Sequence, residues 1–206
     1  MLLSIALVFS LRADDHDKIP VRVVVVTTFE SGGDNGPNAS GEIANWVEQL
    51  PLKEKIEFPQ GYHHLRYNRD LQVLGIVTGE GKSHAAASIM ALEMDPRFDL
   101  SKAYRCVAAI AGVDPNKASV GSTAWAKCVV DGDLSYEIDA REIPAGWPTG
   151  IVAVGRATPY QPPAPPFETI GGHVVFKLNE SLVNWAFELT KGMALPDDAT
   201  LRWTHC

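Results

Sequence analysis

Long apolar runs are almost missing from these 206 residues, and what that excludes is a helical channel built from this chain. The longest such run, Met1 to Leu11, is too short for a stable bilayer-crossing helix, which takes roughly 20 apolar residues. Cysteine is also scarce. Cys106, Cys128 and Cys206 cannot all pair within one chain, and their spacing matches no zinc pattern. Cys106 and Cys128 lie inside apolar runs and are expected to be buried thiols acting as small hydrophobes. Clustered basic residues are lacking too: the formal charge is -7 and the isoelectric point about 5.3, so no general affinity for nucleic acid or anionic lipid is expected.

Several catalytic signatures are missing as well. No G-x-S-x-G nucleophile elbow occurs. Gly79-Glu80-Gly81-Lys82-Ser83 is not a Walker loop, because a single residue separates its first Gly from Gly-Lys-Ser where about four are needed. Its glycines serve first as a tight turn, and the amides at the start of the following helix make Gly79 and Gly81 the candidate anion-binding positions. His63-His64 lacks the helical spacing and the third ligand of a metal site. No metal and no cofactor are expected. Arg66 and Arg69 are expected to be solvated loop cations.

What is present is an ordinary globular composition, 46% hydrophobic and 21% charged, of a length suited to one domain. The apolar start breaks abruptly into Arg12-Ala13-Asp14-Asp15-His16-Asp17, and Ala13 offers a small residue for cleavage. Residues 1–13 are therefore read as a signal peptide, with export to the periplasm or medium as the expectation and a buried first strand as the rival.

Val21 to Val26 (VRVVVV) is a nearly continuous β-branched run, the mark of a strand covered on both faces. Thr27 to Ser40, rich in Gly, Asn, Asp and Pro, is too long for a tight turn, and loops of that length are often functional. Ser40 is placed to cap a helix carrying Glu42 in its first turn and Ile43, Trp46, Val47 and Leu50 at helical spacing, closed by Pro51. Val73 to Thr78 reads as a second strand, followed by the glycine turn and a small-residue helix to about Glu93. Tyr104 to Ala111 is a third strand, expected parallel to its predecessor through a right-handed crossover. Gly121 to Val130 is a fourth strand candidate. Pro159 to Phe167 is a proline-rich surface excursion, and Asn179 or Ser181 caps a last helix.

Ligands in open α/β sheets bind outside the carboxyl ends of strands. That rule draws attention to Glu30 and Glu42, which flank the first long loop, and to Asp131, Asp133, Glu137 and Asp139, which follow a strand end.

Three long stretches, LGIVTGEGKSHAAASIMAL from Leu74, DPRFDLSKAYRCVAAIAGVDP from Asp95 and ASVGSTAWAKCVVDGDLSYEIDAREIP from Ala118, resemble the purine nucleoside permease family. IPVRVVVVTTFE and GEIANWVE fit the same pattern. The resemblance implies a nucleoside phosphorylase-like fold over residues 19–206: an α/β, three-layer arrangement with a mostly parallel or mixed central sheet and helices on both faces, abbreviated at its C-terminal end. It implies a nucleoside lying on Thr28, Glu30 and the small-residue turn Ala109, Ile110, Ala111 and Gly112, with Glu42 as the acid brought to the site. Ile110 stands where the related turn carries a hydroxyl for phosphate, which counts against phosphorolysis. The implied partner is a purine nucleoside, handled as a binding protein in uptake. A nucleoside hydrolase or phosphorylase and an inactive fragment are the alternatives, and a sheet lacking its last strands would favour a homo-oligomer.

Overall fold

The computed structural model describes residues 18–30, 41–119, 121–161 and 175–194. Residues 1–13, Ser40, Cys206 and most of the proline-rich run lie outside the described residues. The chain divides into two compact units, 1–112 and 113–206.

In the first unit the β-branched runs form the centre of a mixed five-stranded sheet. After a short β1 (Ile19–Pro20), strand β2 (Val23–Thr27) is flanked by β5 (Val73–Val77) and β7 (Tyr104–Val107), both parallel to it. Two further strands, β3 (Glu54–Ile56) and β4 (Leu65–Asn68), add antiparallel ribs on the β5 side, giving the order β3-β4-β5-β2-β7. Strand β1 instead pairs in parallel with β6 (Phe98–Asp99).

Alternation along β2 explains why both faces are covered. Val24 and Val26 join Leu65, Tyr67, Leu74, Ile76 and Leu92 in one core cluster, and Val25 joins Leu52 and Val73 in another. Helix α2 (Lys82–Glu93) lies over the first face through Ile89, Ala91 and Leu92. Helix α1 (Ala44–Gln49) covers the second through Trp46 and Val47. The expected α/β sheet with helices on both faces is found here.

Several expectations need correction. The stretch through Tyr67 is a core strand, because hydrogen bonding to β5 satisfies its backbone and burial takes Leu65, Arg66 and Tyr67. Arg66 is thus buried rather than solvated, whereas exposed Arg69 pairs with Glu54 at 2.9 Å. The third strand stops at Val107, since the ladder to β2 ends with Ala108 N–H donating to the Val26 carbonyl at 2.9 Å. Cys106 is half-buried, and burial pushes its thiol up from the ordinary value. Helix α1 begins after Glu42, with Ile43 at its N-cap and no side-chain cap.

In the second unit, β8 (Cys128–Val130) pairs antiparallel with β11 (Val175–Lys177), and β9 (Ser135–Glu137) with β10 (Ile151–Ala153). The fourth strand is therefore three residues long rather than ten, because only these three pair in register with β11. Cys128 is exposed, not buried. Helix α3 (Glu180–Thr190) is capped by Asn179, whose Oδ1 accepts from Leu182 N–H at 3.0 Å. That choice leaves Ser181 inside the helix.

Candidate functional site

Parallel strands β5, β2 and β7 end together, with Thr27 level with Val77 and Val26 level with Val107. The loops that follow, 78–81, 28–30 and 108–112, consequently stand side by side along one sheet edge. At strand spacings of about 4.8 Å that crest is ~10 Å wide. Every residue expected to bind nucleoside or anion belongs to one of these three loops.

Glu42 ties two of them together. Its Oε2 accepts from Thr28 N–H at 2.7 Å, Thr28 Oγ1 at 3.1 Å and Phe29 N–H at 3.0 Å, while Oε1 accepts from Ile110 N–H at 2.8 Å. The residue sits just before α1, so the carboxylate is carried by the chain segment that β2's loop must meet. Glu42 N–H also donates to the Phe29 carbonyl at 3.2 Å. Partial burial pushes the Glu42 carboxyl upward, but bonds from Ile110, Thr28 and Phe29 outweigh it and hold the pKa below the usual value. A carboxylate with four donors is an ionised brace and a poor proton donor at neutral pH.

Around the brace, Thr28 and Glu30 are half-buried and the Glu30 carboxylate packs on Gly41, where a Cβ would collide with it. Ala109, Ile110, Ala111 and Gly112 are exposed, Ile110 at 78%. A Cβ at Gly112 would meet no other described residue within 4 Å, its chain neighbours aside, so space stands open beside this end of the turn.

The third loop is held differently. Thr78 N–H donates to the Thr27 carbonyl at 2.9 Å, and Ser88 Oγ donates to the Thr78 carbonyl at 3.0 Å, fixing the turn to both β2 and α2. Gly79 has φ +83° and Gly81, the N-cap of α2, has φ +85°; no side chain caps this helix end. A Cβ on Gly79 would lie 2.9 Å from Tyr62 Cδ2 and 3.2 Å from His84 Cβ, whereas Gly81 faces open space. Gly79→Ala is expected to cost about 2 kcal/mol, from backbone strain plus the ring contact, and Gly81→Ala about 1 kcal/mol, from strain alone. Urea unfolding of both variants checks this; equal losses would mean that the Tyr62 contact contributes nothing.

Sequence reading missed Tyr62 and His84. The register Asn68 to Val73 and Arg66 to Gly75, carried on toward the start of β4, brings Tyr62 level with Gly79. An antiparallel neighbour delivers the residues before it to the end of the strand it pairs with. Leu65 and Tyr67 alternate as in a strand, but a segment this short and polar does not announce the hairpin with β5 on its own.

In the second unit, Asp139 accepts from Arg141 through both oxygens, at 2.9 Å from Nε and 2.7 Å from Nη2, and this holds its pKa down to about 2. It is a locally paired carboxylate. Among the described residues no group of His, Cys, Asp and Glu is arranged to hold a metal ion, and no helix is long and apolar enough to cross a membrane.

Comparison with known proteins adds the family context. Residues 20–204 match the family model described as purine nucleoside permease (NUP). The chain is 34% identical over 145 residues to a probable purine nucleoside permease of Schizosaccharomyces pombe, covering 66% of this chain and 40% of that protein. It is 31% identical over 156 residues to the purine nucleoside permease of Candida albicans, covering 73% of this chain and 37% of that one. The chain spans about two fifths of the length of these curated relatives. No solved structure matches it.

Proposed function

We propose that this chain, which belongs to the purine nucleoside permease family, binds a purine nucleoside on the carboxyl edge of β5, β2 and β7 and serves in nucleoside uptake. The observation that carries the reading is the Glu42 brace, which joins the Thr28 loop to the small-residue turn at Ile110. A ligand lying on backbone needs that backbone pre-formed, since ordering it on binding would offset affinity. The open space above Gly112 is where the sugar or base rests.

The sheet supports a nucleoside phosphorylase-like fold: parallel central strands, helices on both faces, and a small-residue turn after β7. Glycosidic cleavage with Glu42 as proton donor is disfavoured by the same brace, because the carboxyl is held ionised. Carriage without turnover is the reading this favours. The export expected from residues 1–13 belongs to it.

Calorimetric titration of the chain with inosine and adenosine, with and without phosphate, tests the proposal, with free base assayed in the same samples. Saturable binding without base release is the expected result. Base release would transfer the assignment to an enzyme, and no binding by the folded chain would overturn the reading. Gly112→Val sharpens the test. Because a Cβ at Gly112 meets nothing within 4 Å among the described residues, the variant should melt like the wild type yet bind nucleoside at least about tenfold more weakly. Unchanged affinity would remove this turn from the site.

A further inference from the structure

We infer that Tyr62 is the stacking surface for the purine base, and so the residue that selects purine over pyrimidine nucleosides. The inference rests on the reading that the carboxyl edge binds a nucleoside, and adds the wall against which the base lies.

Tyr62 belongs to neither core cluster and is 53% exposed, unlike Tyr67 five residues on, which is buried. Its ring is nonetheless held. One contact is Gly79, where a Cβ would lie 2.9 Å from Cδ2. His63 meets it edge-on, with centroids 4.8 Å apart and planes at 85°, and His84 lies 5.7 Å away at 33°. His84 is itself tethered, its Nδ1 3.0 Å from the Glu80 carbonyl oxygen. A half-exposed aromatic ring held on three sides is pre-organised to receive a flat apolar ligand without losing further rotamer freedom.

Position adds the chemistry. Tyr62 stands at the β5 end of the crest, and the Glu42-braced loops with open space over Gly112 stand at the β2 and β7 end. The ends of β5, β2 and β7, which the crest joins, span two strand spacings or ~10 Å, the scale of a nucleoside. The base therefore lies on Tyr62 and the sugar toward the braced loops. Base–aromatic stacking tolerates any base but grows with the overlapped area, so the two-ring purines gain most.

The test is titration of the 206-residue chain and its Tyr62→Phe, Tyr62→Trp and Tyr62→Leu variants with adenosine and uridine, each variant's melting temperature being recorded. Phe and Trp should keep adenosine affinity within about threefold, and Leu should lose about tenfold to a hundredfold for adenosine but less for uridine. If the wild type binds adenosine and Tyr62→Leu binds it equally well, or if Leu weakens both ligands alike, the stacking role falls while the carboxyl-edge reading stands. If the folded wild type binds neither, both fall. Should Tyr62→Leu fail to fold, NMR of the ring-labelled wild type decides, with Tyr62→Phe giving the assignment: adenosine should move the Tyr62 ring resonances, and their constancy at saturation would overturn the inference.

Discussion

Replacing Glu42 with Ala should abolish nucleoside binding and lower stability by about 3 kcal/mol, the largest single effect expected at this site. Four donors lose their acceptor at once: the amides of Thr28, Phe29 and Ile110 and the Thr28 hydroxyl. Bonds to a charged acceptor contribute roughly 1.5–3 kcal/mol each when isolated, but water replaces part of that at half-exposed loops, so the sum is far below four full bonds. Glu42→Gln should fall between, because the amide keeps one oxygen and turns an NH₂ group toward donors.

The same brace sets a pH dependence whose sign follows from the depressed pKa. Between the lowered folded value and the higher unfolded one, the unfolded chain binds more protons, so stability rises with pH there. The contribution is complete above the ordinary glutamate value and is lost as pH falls through the depressed one. Urea unfolding at neutral pH and at pH values through the carboxylate range should show the wild type converging on Glu42→Ala as acid is added. A constant gap between them would mean that the carboxylate's charge is not what holds the loops.

Gly75→Val is the second large effect, expected to cost about 3 kcal/mol and to weaken binding from a distance. Gly75 is buried in the middle of β5, where a Cβ would lie 3.0 Å from both Ile43 Cδ1 and Leu52 Cδ1 and 3.6 Å from Arg66 Cβ. One methyl requires its neighbours to give by a few tenths of an ångström; the two further methyls of Val have nowhere to go. Ile43 and Leu52 are themselves fully buried. Ile43 follows Glu42 directly, so pushing it outward displaces the brace. Gly75→Ala should lose under about 1 kcal/mol and keep binding. Thermal unfolding paired with adenosine titration checks both variants, and a Gly75→Val chain as stable as the wild type would show that α1 is not packed on β5 as described.

Much of the sheet was legible because its central strands carry their own signal. VRVVVV and VLGIV can be covered only on both faces, and each ends in a glycine- or polar-rich loop. The helical pattern between VLGIV and YRCV makes those two strands run parallel, although each pairs with β2 rather than with the other. The ribs β3 and β4 were not legible, since EKI and LRYN are too polar to announce themselves, and Arg66 reaches its buried place only through pairing with β5.

For the site, the sequence by itself determined the side chains on offer: small residues at 109–112, glycines at 79 and 81, and an acid at position 42. It also carried the family, through long words in a fixed order. Only the tertiary structure decided what Glu42 does, because its role depends on Thr28 and Ile110, 14 and 68 residues away, whose amides point at it once β2 and β7 lie side by side. Only the structure brought Tyr62 to Gly79, through an antiparallel register that no local pattern encodes. Side-chain type is a property of the chain, but partnership is a property of register and topology, which arise from burying the apolar faces of several segments together.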